Sequence, residues 1–289
     1  MDDETRGLVN KAVMPENGTL RMKHDETEES KLPKPEISRY ALAMFDILGF
    51  SSWLEKEGIQ VVLDSYHALI ERAVIKPNEK GGLGAVQTPD GALLAVIRPP
   101  NYAYGSDTLL MWCPLMPPLV GDFVERCGDL MCEALSMGIP LRGALALGDA
   151  VLDSESNFFL GEPMVEAANL EKGQNWIGFT FCNSAVWTPF LAQLHGTAVI
   201  EYQPPMKEKY KDYSSPIVVD WPRRWRDKHG ECPSKKLKEL RNPEYPLYWN
   251  NTLKFAEYSR EKHDWHLRPK EIPEGALLRL NARDEVQFD

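Results

Sequence analysis

The run Tyr40-Ala-Leu-Ala-Met-Phe-Asp-Ile-Leu48 is apolar or aromatic at every position except Asp46. A strand with one wet face alternates apolar and polar residues, and this one does not. The run therefore predicts a central strand covered on both faces, which requires helices or a second layer on each side of a sheet. Gly49-Phe50 follows directly. Ser52 and Glu55 then have capping-box spacing ahead of a helical run containing Val61, Val62, Tyr66, Leu69 and Ile70.

Further along, 102–112 reads as two strands around a tight Gly105-Ser106 turn, with Asp107 entering the second. Apolar residues recurring at three and four from Leu119 mark an amphipathic helix ending at Gly138. Another strand spans 139–149, with 150–153 beginning its departure toward a turn, and a helix covers about 163–172. Short β-like runs follow at 177–181, 198–202 and 217–221, with a last helix around 249–262. A weaker strand is expected within 92–97, framed by Gly- and Pro-rich loops. The order is mixed α/β, and the expected fold is an α+β sandwich, a mostly antiparallel sheet with helices packed on it.

Three segments are expected. Residues 1–36 hold nine acids, six bases and no aromatic residue, a composition that cannot offset its ordering entropy and is expected to form a disordered acidic tail. Residues 37–190 form the core, and 191–289 add strands and a helix to the same domain.

Composition narrows the partners. Lys+Arg total 33 against 43 for Asp+Glu, a net charge of −10, so no broad basic surface for nucleic acid or anionic lipid is expected. No stretch approaches the ~18 apolar residues of a membrane span, and Met1 is followed by acids. A cytoplasmic location is expected. The five scattered cysteines agree, forming neither a disulfide framework nor a zinc ribbon. Cys127/Cys132 and His263/His266 are the tightest groupings, and neither is joined by a second ligand pair at zinc spacing.

Two aspartates in apolar strands stand out, Asp46 and Asp107. An unpaired buried carboxylate is costly, so each needs a cation, backbone donors or a metal. One reading makes Asp46 a cap for the next helix and Asp107 a turn residue; the other gives both to a shared divalent cation. The Gly49 turn favours the second, because backbone N–H groups at a helix start can face a phosphate and Ser51 can donate a hydroxyl. Two carboxylates beside an anion cradle match a metal-bound triphosphate, with oxygen ligands that Mg²⁺ or Mn²⁺ prefers.

These residues resemble the class III nucleotidyl cyclases. Phe45-Asp46-Ile47-Leu48-Gly49-Phe50-Ser51 is similar to the motif of the family's first strand, lacking only a spacer between Phe and Asp. Gly105-Ser106-Asp107 is similar to its metal-binding hairpin. Leu141-Arg142-Gly143 to Gly148, Gly161-Glu162-Pro163 and Ala167-Ala168-Asn169-Leu170-Glu171 are similar to its next strand, dimerisation-arm turn and helix. The resemblance covers 39–187. It implies that Asp46, Asp107 and the Ile47 carbonyl hold two divalent ions, Mn²⁺ or Mg²⁺, and that Leu48, Gly49, Phe50 and Ser51 hold the β- and γ-phosphates. It also implies a head-to-tail homodimer with composite sites. The family reaction is attack of a ribose 3′-hydroxyl on the α-phosphate, giving a 3′,5′-cyclic nucleotide and pyrophosphate.

The sequence departs from the purine cyclases at the base pocket, where Ala103 and Phe158 stand in place of the base readers. The transition-state Asn and Arg of those enzymes fall at about Val165 and Asn169. Arg142 is the candidate catalytic substitute, with Arg39 the second choice; the competing reading pairs Arg142 with Asp149 or Glu171. The combination is similar to the bacterial pyrimidine cyclases of the Pycsar antiphage systems. That resemblance implies a cyclic UMP or cyclic CMP product, UMP favoured, and a separate effector activated by it. A purine cyclase with relocated readers and a silent, nucleotide-sensing cyclase-like domain are the alternatives.

Overall fold

The computed structural model describes residues 36–76, 85–87, 93–95, 100–154, 158–186, 194 and 197–262. The expected acidic tail falls, except for Glu36, outside the described residues, as do His263, Trp265 and His266.

The apolar run is strand β1 (Ser38–Ile47), and it lies at the middle of an eight-stranded sheet. Beside it are β5 (Thr108–Pro114) and β6 (Leu141–Asp153), both antiparallel to it. The hairpin partner β4 (Asn101–Gly105) lies outside β5, and β7 (Phe158–Gly161) folds back on the far end of β6. Three further strands, β8 (Phe179–Cys182), β9 (Val199–Glu201) and β10 (Ser214–Val219), give the order β4-β5-β1-β6-β8-β10-β9. Among these described strands only β6 and β8 pair in parallel. A separate ribbon joins β2 (Ala85–Gln87) to β3 (Leu93–Ala95). The architecture is mixed α/β, a mostly antiparallel sheet with helices packed on it.

Strand parity sorts the core into two faces. Ala41, Ala43, Phe45 and Ile47 join the larger cluster, whereas Leu42 and Met44 join the smaller. On the larger side lie α2 (Ile59–Ile70), α3 (Pro117–Ser136), α6 (Trp221–His229) and α8 (Pro246–Lys262), which contribute Tyr66, Phe123, Trp221 and Phe255. The smaller cluster receives Ala167 and Leu170 from α4 (Glu162–Gly173). The Phe45 and Phe179 rings lie 4.8 Å apart in the larger core. Gly143 permits this, because a Cβ there would come within 2.7 Å of Phe179 and 2.8 Å of Phe45.

Four local expectations are corrected. Ser52 does not cap a helix: α1 (Phe50–Glu57) already starts at Phe50, with left-handed Gly49 at its N-cap. A second break at Gly58, φ 81°, separates α1 from α2, so the expected single helix is two. Residues 150–153 stay in β6, because pairing with β7 extends the ladder to Asp153. Trp221 leaves the sheet and opens α6, where Asp220 accepts the Arg223 N–H as its cap. Two short helices, α5 (Asn183–Val186) and α7 (Ser234–Glu239), complete the described elements, with a π-helical turn at Glu71–Ile75 after α2 and a 3₁₀ turn at Glu208–Tyr213. Four of the five cysteines are buried and all five are free.

Candidate active site

Asp46 lies directly opposite Thr108 on β5 and Arg142 on β6. Opposed residues of antiparallel strands share a face, so Arg142 meets Asp46 across the ladder. Its Nε–H donates to Asp46 Oδ2 at 3.0 Å, and Glu171 Oε1 from α4 lies 2.5 Å from the same nitrogen. The guanidinium also donates to the Gln174 carbonyl at 3.3 Å. Gln174 is itself locked, donating to the Gly143 carbonyl and accepting from Trp176 and Thr180. The Arg142, Asp46 and Glu171 side chains are 12%, 15% and 5% exposed. Of the two expected partners of Arg142, Glu171 is found; Asp149 pairs at 3.6 Å with Arg39, at an exposed end of the sheet.

One cation between two buried carboxylates leaves an excess of negative charge. Burial raises the Asp46 carboxyl above its ordinary range; Arg142 opposes this and the Asp107 charge adds to it. Burial likewise pushes Glu171 up to about 7, with Arg142 pulling down and Asp46 pushing up. Asp46 does not cap the following helix, and its carboxylate is turned to this network.

Asp107 reaches the same place from the β4–β5 turn. Ser106 takes a left-handed conformation, φ 56°, and the Asp107 carbonyl accepts the Ile47 N–H at 3.0 Å. The chain then bends at Gly49, φ 76°, into α1, whose first turn has no side-chain cap and no acidic residue. Its leading N–H groups are the donors that a helix start leaves for an anion. The ring of Tyr245 stands 3.4 Å from where a Gly49 Cβ would be, an ordinary contact distance, so it is the positive φ that favours glycine here.

These residues line a cleft of about 340 Å³: Asp46 to Ser52, Asp107 and Arg142, joined by Lys207, Tyr245 and Tyr248. A larger cleft of about 480 Å³ shares Gly49 and Tyr245 but contains neither aspartate. The structure thus brings together Asp46, Ile47, Leu48, Gly49, Phe50, Ser51, Asp107 and Arg142. It does not bring Ala103 and Phe158 to this cleft within one chain. Ala103 packs with the smaller core. Phe158 pairs with Asp153, eleven residues along β6 from Arg142, or roughly 35 Å at strand rise. Val165 is exposed on α4, one turn before Asn169, and neither supplies a cation.

Sequence reasoning missed Lys207, Tyr245 and Tyr248. Lys207 belongs to Met206-Lys-Glu-Lys-Tyr210, which has no periodicity to set one lysine apart. Its ammonium donates to the Lys172 carbonyl at 2.6 Å, and burial together with Arg142 lowers its pKa. The tyrosines come from the far C-terminal region, and only the fold places them here.

The donor set suits a hard divalent cation. Among the described residues no group of three or more His, Cys, Asp or Glu is arranged for a metal. Mg²⁺ is commonly held by one or two carboxylates, with water and phosphate oxygens filling the other positions. The raised Asp46 carboxyl beside the Asp107 charge marks a pair that a cation would stabilise.

No family model matches the chain. No curated protein matches its sequence. Among solved structures, the chain is similar to a bacterial light-regulated adenylyl cyclase, with 13% identity and a TM-score of 0.42. That alignment covers 79% of this chain and 58% of the other, so the chain spans little more than half of that protein. It is also similar to the catalytic core of a rhodopsin-guanylyl cyclase with converted specificity, in complex with ATPαS (14% identity, TM-score 0.39, covering 65% and 98%). A third is the adenylyl cyclase CyaB from P. aeruginosa (11% identity, TM-score 0.38, covering 65% and 94%). Among the described residues no helix is long and apolar enough to cross a membrane.

Proposed function

We propose that this chain is a nucleotidyl cyclase that converts a pyrimidine ribonucleoside triphosphate, UTP before CTP, to its 3′,5′-cyclic monophosphate and pyrophosphate. The observation that carries the reading is the meeting of Asp46 and Asp107 at the mouth of the Gly49 turn, inside one cleft with Arg142 and Lys207.

The α1 N-terminus and Ser51 receive the β- and γ-phosphates. Asp46, Asp107 and the Ile47 carbonyl would hold two divalent ions, Mn²⁺ or Mg²⁺, which when bound activate the 3′-hydroxyl and neutralise the leaving pyrophosphate. In the reaction the 3′-oxygen forms a bond to the α-phosphorus, the bond to the bridging oxygen of pyrophosphate breaks, and the hydroxyl proton leaves to solvent. Arg142 and Lys207 offset charge on the phosphates, in a chain whose Asn169 supplies none. Because neither Ala103 nor Phe158 lines the cleft of its own chain, the base pocket on this reading is composite and a homodimer completes it. Phe158 and Leu160 on β7 and Val165 on α4, 45%, 62% and 64% exposed, are apolar side chains available for that contact. The product would act as a messenger for a separate effector in antiphage defence.

The test is incubation of the protein with each of the four ribonucleoside triphosphates and Mn²⁺. Cyclic UMP as the main product is expected, abolished in Asp107→Asn with the fold intact. Cyclic AMP or GMP as the main product favours a purine cyclase. Nucleotide binding without turnover favours a sensor.

A further inference from the structure

Tyr66 of α2 stands between the two turns that build the cleft. Its hydroxyl donates to the Ser106 carbonyl at 2.6 Å. Its ring stacks on Tyr104 at 5.5 Å and 24°, and meets the edge of Phe50 at 6.4 Å and 72°. Phe50 opens α1 at the phosphate turn, and Tyr104 and Ser106 belong to the hairpin that carries Asp107. Tyr66 is 5% exposed.

Ser106 is the one non-glycine residue with positive φ among those described. A serine held there is strained, and something must over-determine the turn. The Tyr66 hydrogen bond fixes the carbonyl of the 106–107 peptide, immediately before the Asp107 Cα. On the other side the Asp107 carbonyl accepts from the Ile47 N–H. Both peptides flanking Asp107 are therefore clamped, one by β1 and one by a phenol. Burial, reinforced by the charges of Asp107 and Asp46, holds the Tyr66 pKa well above its ordinary value, so the hydroxyl stays a neutral donor.

We propose that Tyr66 is a positioning residue that aims the Asp107 carboxylate at a divalent cation. The inference rests on the cyclase reading, in which Asp107 is a metal ligand. Partners behind the ligand shell set ligand geometry, and their loss commonly lowers metal affinity about 10- to 100-fold. Tyr66 acts through backbone, so the low end applies.

The experiment measures Mn²⁺ affinity of the full chain by electron paramagnetic resonance of the free ion, without nucleotide turnover. Tyr66→Phe keeps both ring contacts and removes only the hydroxyl. It is expected to weaken Mn²⁺ binding about tenfold, at the low end of that range, while near-ultraviolet circular dichroism stays unchanged. In turnover assays the Mn²⁺ concentration for half-maximal rate rises more than kcat falls. Tyr104→Phe loses a hydroxyl that contacts His67 at 3.2 Å and nothing in the Asp107 turn, so its Mn²⁺ affinity should match the parent. Parent-like Mn²⁺ affinity in Tyr66→Phe overturns the proposal, as does equal weakening in Tyr104→Phe, while either result leaves the cyclase reading standing. If the parent shows no Mn²⁺ binding that Asp107→Asn removes, the metal reading and the proposal fall together.

Discussion

The two faces of the sheet are built from the same strands and filled differently. Toward α2, α3, α6 and α8, β1 presents Ala41, Ala43, Phe45 and Ile47 to an extensive aromatic and aliphatic core. Toward α4, the alternate residues Leu42 and Met44 are followed by Asp46, and Ala144 and Ala146 on β6 are preceded by Arg142. On the deep face the buried residues of β1 carry no charge, and the buried Asp220 at the start of α6 is held by the Ser259 hydroxyl and the Arg223 N–H. The thin face ends at a cleft open to water, and it can keep ionised groups provided they are paired.

The largest effect expected from separating the faces is on the deep side. Phe45 is fully buried and packed against the Phe179 ring, so Phe45→Ala should destabilise the chain by about 4 kcal/mol. Urea unfolding measures it, and a loss below about 1 kcal/mol would mean that this core is loosely packed.

Arg142→Ala comes next, and its signature differs. It strands Asp46 and Glu171 without their cation, which should cost about 3 kcal/mol at pH 8. The cost should shrink at pH 5, where raised carboxyls take up protons, whereas that of Phe45→Ala should not depend on pH. Turnover should fall more than substrate affinity if the guanidinium meets developing charge. Equal pH dependence for the two variants would break the contrast between the faces.

Glu171→Gln sharpens it further. A carboxyl ordinarily at 4.5 and raised to about 7 in the fold binds its proton more tightly when native. Its contribution to stability is full below pH 4.5 and is lost as pH rises through about 7. The parent should therefore lose melting temperature across that window, and the Gln variant should show a shallower slope. Identical slopes would place the proton elsewhere in the network.

Much of the deep face was legible in the sequence, because its signal is periodicity. The unbroken run before Asp46 announced a central strand, and the three-and-four spacing from Leu119 announced α3 to within two residues at each end. The thin face was legible only in part. Asp46, Gly49 and Asp107 stand out because a charge or a glycine in an apolar strand is locally anomalous. Registry is different: that Arg142 faces Asp46 follows from which residues pair between β1 and β6, and no local pattern encodes it. Lys207 and Tyr245 enter through chain reversals far downstream, and Gly49 set the helix start where a serine had the better capping spacing.

The smallest effect on folding should come from the outer rim of the thin face. Leu160 on β7 is 62% exposed, two residues along the strand from the exposed Phe158. A surface substitution away from the core usually changes stability by about 0.5 kcal/mol or less, so Leu160→Asp should leave the melting of the isolated chain almost unchanged. If this patch seats a second copy, a carboxylate there must be buried without a partner, and association should weaken sharply while folding does not. Sedimentation at matched concentrations separates the two quantities. A parent dimer that becomes monomeric in Leu160→Asp, with cyclase activity lost and recovered only at high protein concentration, would show that the thin face is thin because a second copy covers it. A variant that stays dimeric would move the contact off this rim.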